Sequence, residues 1–149
     1  MKIAVGADHK GFKLKQKIIK ILEDKGHDAK DFGTQNEESC DYPPIAYEVA
    51  KSVSMGQSEM GILICDTGIG MTIAANKVKG VRAGLANTVE KVRLCREHND
   101  CNVLSLSIMD VDQNKLPEII DMFLITEALG ERHARRVGEI SDIEKSEFK

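Results

Sequence analysis

The sequence predicts an α/β protein: a three-layer, Rossmann-like single domain built on a five-stranded, mainly parallel sheet. Three observations lead there. Short apolar runs alternate with helical patterns five times along the chain, the signature of strand–helix–strand units with right-handed crossovers. The first run begins at the second residue, and Met1-Lys2-Ile3-Ala4-Val5 reads directly into a strand rather than a signal peptide. The two most reactive-looking segments, Asp8-His9 and Cys65 to Gly70, each follow a predicted strand. That is where ligands gather in open parallel sheets.

The elements follow in order. Lys2 to Ala7 is the first strand, and the helix after it spans about Gly11 to Lys25. Its apolar positions Phe12, Leu14, Ile18, Ile19, Ile21 and Leu22 keep helical spacing, and Gly26 stops it. A short strand around His27 to Phe32 precedes a polar loop through Asp41-Tyr42-Pro43-Pro44, and a second helix runs from about Pro44 to Ser54. Strand 60–65 leads into the loop Cys65-Asp66-Thr67-Gly68-Ile69-Gly70-Met71, with a helix expected from Thr72 to about Lys77. Val81 to Leu85 reads as a strand, Thr88 to Glu97 as a helix, and Cys101 to Leu106 as the fifth strand. Lys115 to Ala128 is the fifth helix, and the polar stretch from Glu131 onward is expected to be helical.

Composition narrows the function. The chain has 149 residues, enough for one domain with a substantial core. Its net charge of −3 argues against a general nucleic-acid binder, and no apolar segment approaches membrane-spanning length. Cysteines at 40, 65, 95 and 101, without a secretion signal, are expected to be reduced thiols in the cytoplasm. There is no tryptophan on which a base or sugar ring could stack.

Cys65 is the focus of the chemistry. A buried strand fixes its thiol at a sheet edge, while the glycines after it let backbone N–H groups approach a ligand. The following helix N-terminus is expected to favour a thiolate. A thiolate beside a backbone anion hole suits proton abstraction next to a carbonyl. The competing reading is a structural cysteine in an ordinary turn, but Asp8-His9 on the same edge favours function. His98-Asn99 ends a helix and precedes the fifth strand, so it belongs at the opposite edge, a strand length of roughly 17 Å away. To serve Cys65 it has to reach the site of a neighbouring subunit. The cluster Arg132-His133-Ala134-Arg135-Arg136 returns to that same edge. The alternatives are a helix C-terminal charge for His98 and a solvated helix face for the arginines.

Other motifs fall short. Gly68-Ile69-Gly70 lacks the third glycine of a dinucleotide fingerprint. A Cys-x5-Arg phosphatase loop needs arginine where the chain has Met71, and there is no Cys-x-x-Cys pair. Cys95, His98 and Cys101 straddle a helix end without a fourth ligand, so no metal is expected there.

Taken together, the motifs resemble the RpiB/LacAB family of sugar-phosphate isomerases. They are Gly6-Ala7-Asp8-His9 with Gly11-Phe12, Asp31-Phe32-Gly33-Thr34, Asp41-Tyr42-Pro43, Gly61-Ile62-Leu63-Ile64-Cys65, Thr67-Gly68-Ile69-Gly70, Ile73-Ala74-Ala75-Asn76-Lys77 and Val81-Arg82-Ala83. His98-Asn99-Asp100 with Asn102-Val103-Leu104, and Arg132-His133 with Arg136-Val137, complete the set, in order and over nearly the whole chain. The resemblance implies aldose–ketose isomerisation of a sugar phosphate through a cis-enediolate, without metal or cofactor. It makes Cys65 the proton-transferring base, and Thr67 with the 66–70 backbone (Asp66, Gly68, Ile69, Gly70) the oxyanion stabiliser. It makes His98 the ring-opening acid, with Asn99 beside it in the site. Asp8, His9 and Tyr42 would contact the sugar. Arg132 and Arg136 of a partner chain would grip the phosphate, in a homodimer or tetramer with shared sites, the segment from about 131 packing on the partner.

The leading pair is ribose 5-phosphate and ribulose 5-phosphate. Two departures keep allose 6-phosphate, galactose 6-phosphate and tetrose phosphates open. Asp66 stands where the family usually has glycine, and Met109 where it commonly has a phosphate-binding arginine. A weakly active or non-catalytic subunit of a hetero-oligomer, and a thiol redox sensor, are the readings from other classes.

Overall fold

The computed structural model describes residues 1–148; Lys149, the end of the predicted C-terminal helix, lies outside the described residues. The strands are β1 (Lys2–Ala7), β2 (Asp28–Asp31), β3 (Met60–Cys65), β4 (Ala83–Leu85) and β5 (Val103–Ser107). They form one sheet in the order β2-β1-β3-β5-β4, and every pair is parallel. The helices are α1 (Phe12–Asp24), α2 (Tyr42–Ser54), α3 (Ile69–Ala75), α4 (Val89–Asn99), α5 (Leu116–Ile125) and α6 (Arg132–Glu147).

Burial explains the strand order. All of β3 and β5, and all of β1 after Lys2, are buried. Strands covered on both faces are buried along their whole length, and these three occupy the centre, β5 doing so with two buried serines, Ser105 and Ser107. The sequence Asp28-Ala29-Lys30-Asp31 is largely exposed and charged, which suits an edge. Alternation of side chains then divides the core. On one face Ile3, Val5, Ile62, Ile64, Leu104 and Leu106 pack with Leu14, Ile18 and Leu22 of α1 and Ile119, Ile120 and Phe123 of α5. On the other, Ala4, Leu63, Cys65 and Val103 pack with Ala46, Val49 and Ala50 of α2 and Met71 and Ala75 of α3. Cys65 therefore points toward α2 and α3.

One buried charge pins the segment beside the carboxyl edge. Lys15 is fully buried, and its Nζ donates to both oxygens of Asp31 (2.7 and 2.8 Å) and to the Thr34 carbonyl (2.6 Å). The adjoining backbone is tied to the end of β1, with Ala7 N–H on the Gly33 carbonyl (2.8 Å) and Thr34 N–H on the Ala7 carbonyl (2.6 Å).

Boundaries moved where local chemistry overrode periodicity. The helix after the glycine loop starts at Ile69 rather than Thr72 and ends at Ala75, because Gly68, in the left-handed region at φ +78°, closes the turn early. The second helix begins at Tyr42, with proline inside its first turn, where a missing N–H costs nothing. β4 begins at Ala83 because Val81 N–H is used in a turn to Val78, and Arg82 N–H bonds the Asn102 side chain.

Ser105, at the centre of β5, is fully buried, and its Oγ has no hydrogen-bond partner among the described residues. Ser105→Ala removes an unpaired buried hydroxyl and is expected to raise unfolding stability by roughly 1 kcal/mol. Urea unfolding of the two proteins measures it.

Candidate active site

Cys65 ends β3, buried at 5% exposure. The chain after it is held against the end of β5: Ile108 N–H donates to the Cys65 carbonyl (3.1 Å), and Met109 N–H (3.2 Å) and Ser107 Oγ (2.8 Å) donate to the Asp66 carbonyl. Gly68 has a positive φ, and a Cβ there would collide with Leu85 Cδ1 and stand 3.3 Å from the Leu106 carbonyl. Only glycine meets both conditions. The turn it permits aims Gly68 N–H at Cys65 Sγ, 3.1 Å away. Thr67 Oγ1 accepts from Ile69 N–H (3.2 Å), which leaves its own hydroxyl proton free to donate. Gly70 N–H lies in the first turn of α3, where an N–H has no intrahelical acceptor.

Burial pushes the Cys65 thiol above its ordinary range, and the Asp8 carboxylate pushes the same way. The N–H groups of Met71, Gly68 and Thr67 oppose them without prevailing. The expectation that the helix terminus lowers this thiol is thus overturned: the loop dipoles are present, but the site is too desolvated for them to win. A thiol raised in this way is less often ionised at neutral pH and is a stronger base once ionised.

Around the thiol stand the other carboxyl-edge residues. Asp8 follows β1 next to β3, and its N–H donates to the Ile64 carbonyl (3.2 Å). Its Oδ1 caps the following turn, accepting from Lys10 (3.0 Å) and Gly11 (3.1 Å) N–H, so Oδ2 is the oxygen left for a ligand. His9 Nδ1 accepts from Cys40 N–H (3.2 Å), which makes Nε2 the ring's donor. The Tyr42 ring lies against Gly70, where a Cβ would sit 2.5 Å from Cζ and 2.8 Å from the phenol oxygen. Asp66 and Ile69 are exposed on the rim, as is Met109.

His98, Asn99, Arg132 and Arg136 are not brought to this edge. α4 ends at Asn99 and feeds the start of β5, while Cys65 is in register with Ser107 at its far end. The α6 residues join His98 instead: the rings of His98 and His133 stack with centroids 4.2 Å apart and planes within 3°. Burial pushes His133 below the ordinary imidazole range, aided by His98, Arg132 and Arg136 and opposed by Glu97. Arg132 and Arg136 share one helical face one turn apart, exposed and without an ion pair among the described residues. Asn99 is exposed and faces a separate cavity. The sequence had marked His133 only as part of a basic cluster. It gave no sign of Cys40, which sits in an aperiodic polar loop, or of Ser107, which acts through a contact to a distant carbonyl.

The thiol's surroundings predict its pH response. Alkylation of Cys65 by iodoacetamide requires thiolate, so its rate is expected to rise with pH through a midpoint above that of a free thiol. Asp8→Asn removes a facing carboxylate and is expected to lower that midpoint. Peptide mass mapping across a pH series reads both.

The sequence matches the family described as Ribose/Galactose Isomerase over residues 3–140. Ribose-5-phosphate isomerase B of Escherichia coli is 42% identical, over 97% of each chain. A Bacillus subtilis relative, 40% identical over 97% of this chain and 98% of its own, is named only at the level of a sugar phosphate isomerase. Among solved structures, ribose-5-phosphate isomerase B of Clostridium thermocellum superposes with a TM-score of 0.95 at 45% identity, covering 98% of this chain and 99% of that one. The Mycoplasma genitalium enzyme, solved with bound ribulose-5-phosphate, gives 0.92 at 39% identity over 97% and 96%. With the thiol, its glycine turn and the all-parallel sheet in the same chain, the protein belongs to the RpiB/LacAB family of sugar phosphate isomerases.

Proposed function

We propose that the protein interconverts ribose 5-phosphate and ribulose 5-phosphate in the cytoplasm, with Cys65 as the base. The observation that supports this most directly is the buried thiol at the end of β3, in hydrogen-bond contact with Gly68 N–H and close enough to Asp8 to feel its charge, with Tyr42 against Gly70 of the same loop. Cys65 takes the proton from C2 of the open-chain aldose and returns it to C1, while the proton of O2 passes to O1. The intermediate is a cis-enediolate. The Thr67 hydroxyl and the Gly70 N–H are the donors available to its oxygens, since Gly68 and Ile69 N–H are engaged within the loop. His9 Nε2 and Asp8 Oδ2 hold sugar hydroxyls.

His98, Asn99, Arg132 and Arg136 act in the site of a second copy, His98 opening the sugar ring and the arginines binding the phosphate. The exposure of Asn99, Arg132 and Arg136 on the opposite edge supports this reading, as do the exposed apolar residues Ile140 and Ile143 on α6, which would pack on the partner. Asp66 and Met109 favour a second substrate reading, allose 6-phosphate, galactose 6-phosphate or a tetrose phosphate. They are neighbours through the Met109 N–H to Asp66 carbonyl bond, and they give the rim a carboxylate and a thioether with no cation of its own.

Proton NMR with ribose 5-phosphate in D2O is expected to show ribulose 5-phosphate with solvent deuterium at the exchanging carbon. Cys65→Ala is expected to slow turnover roughly 100- to 10,000-fold, the usual loss for a positioned base. No turnover by the unaltered protein rejects ribose 5-phosphate as the substrate. Shared sites have their own test. Cys65→Ala and His98→Ala proteins, each impaired alone, are mixed and allowed to exchange subunits. Mixed dimers contain one intact site, so recovery of about a quarter of the unaltered activity is expected for a symmetric dimer. No recovery places both residues in one chain's site.

A further inference from the structure

Two cysteines outside the proposed site face each other at the end of α4. Asp100 adopts a left-handed conformation (φ 45°, ψ 47°) and closes the helix. Its N–H bonds the Arg96 carbonyl (3.1 Å), and Cys101 N–H bonds the Cys95 carbonyl (3.2 Å). The two nested bonds, spanning four and six residues, fold the chain back around the left-handed Asp100 and bring the residue just past the helix end next to one in its last turn. Here that contact pair is Cys95 and Cys101, both buried as free thiols. Gly84 on the edge strand β4 makes room for them: a Cβ there would lie 2.9 Å from Cys101 Sγ and closer still to Cys95 Sγ, so both sulfurs occupy one small volume. They also line a cavity of about 680 Å³ between β4, α4 and α6, whose wall includes Leu85, Leu94 and Ile143.

We propose that Cys95 and Cys101 form a reversible dithiol–disulfide site, oxidised by a small hydroperoxide that enters this cavity. The Arg96 guanidinium, bonded to the Cys101 carbonyl beside the two sulfurs, favours a thiolate at one of them, and the two-step exchange balances from either sulfur. Interaction with the Cys101 thiol pulls Cys95 below its ordinary range despite burial, with help from Arg96, while the same interaction and burial push Cys101 up. Cys95 thiolate attacks one peroxide oxygen, the O–O bond breaks, and a sulfenic acid forms as hydroxide leaves. Cys101 sulfur then attacks the sulfenic sulfur, the S–S bond forms, the S–O bond breaks, and the Cys101 proton leaves with the hydroxyl as water. The pair loses two electrons; with hydrogen peroxide, the hydroxide takes up the proton that Cys95 released, and both peroxide oxygens end as water. Because His98 and Asn99 lie within the ring this closes, oxidation restrains the segment that carries them. That consequence for catalysis rests on the function proposed above; formation of the disulfide does not.

The experiment treats the purified full chain with hydrogen peroxide, alkylates the remaining thiols and maps peptides by mass. The expected product is a 95–101 link, short by two hydrogens and reversed by dithiothreitol. It forms equally in Cys65→Ser and is absent in Cys95→Ser and in Cys101→Ser. Recovery of both cysteines alkylated while Cys40 or Cys65 is oxidised overturns the proposal, as does oxidation of Cys95 to sulfinic acid without a link. Peroxide is expected to cause a loss of isomerase turnover that dithiothreitol restores, and this restorable loss is expected to be missing from the Cys95→Ser/Cys101→Ser variant. A disulfide that forms with turnover unchanged overturns the coupling to His98.

Discussion

The contact from Gly68 N–H to the Cys65 thiol is where strand, turn and helix become one unit. It exists only because residue 68 can take a positive φ with no Cβ against Leu85 and the Leu106 carbonyl. The Asp66 carbonyl, clamped by Ser107 and Met109, fixes the other side of the turn to β5. With both anchors in place, the thiol stays in a dry position beside Asp8, and its basicity is set by burial more than by the helix that follows. Tyr42 can approach only because Gly70 is bare.

Much of this was legible in the amino-acid order. The alternation of short apolar runs with helical patterns was enough to give an α/β fold on a mainly parallel sheet, but the strand order was not legible, since β5 reads Val-Leu-Ser-Leu-Ser and its two serines hide a fully buried strand. The position of Cys65 at a carboxyl edge followed from the run that precedes it. Quantities that depend on distance did not follow. Whether backbone dipoles or desolvation governs Cys65 is decided by how much protein surrounds the sulfur, and no local pattern encodes that. The early start of α3 was hidden because residues 66–70 have no periodicity, and the turn is defined by one φ angle. The stack of His98 on His133 joins residues far apart in sequence, and no local pattern marks that the two rings meet.

The separation of polar groups between the two sheet edges gives the fold its economy and its dependence. One edge holds the thiol, Asp8, His9 and Tyr42, with the nearby Lys15 ammonium engaged by Asp31 and the Thr34 carbonyl; the other holds the stacked His98–His133 pair and two arginines without an ion pair among the described residues. Neither half performs the proposed reaction by itself. The α4–β5 turn is the most heavily braced part of the second half. Arg96 bonds the Asp100 carboxylate and the Cys101 and Thr126 carbonyls, and Arg82 bonds Asp100 from the other side.

The all-parallel sheet has a consequence for synthesis. Ile3 pairs with Met60, and Gly61 with Val103, so the central ladder joins residues distant along the chain, and no adjacent hairpin can form first. Contacts of this kind form late and slowly, because long loops must close before any pairing is gained. On a chain growing from its N-terminus, Cys65 leaves the ribosome well before β5, which supplies the residues that clamp the loop after it. Until then the thiol is an ordinary exposed sulfhydryl, open to oxidation and mispairing, and it becomes a buried base only when the last central strand slots into place.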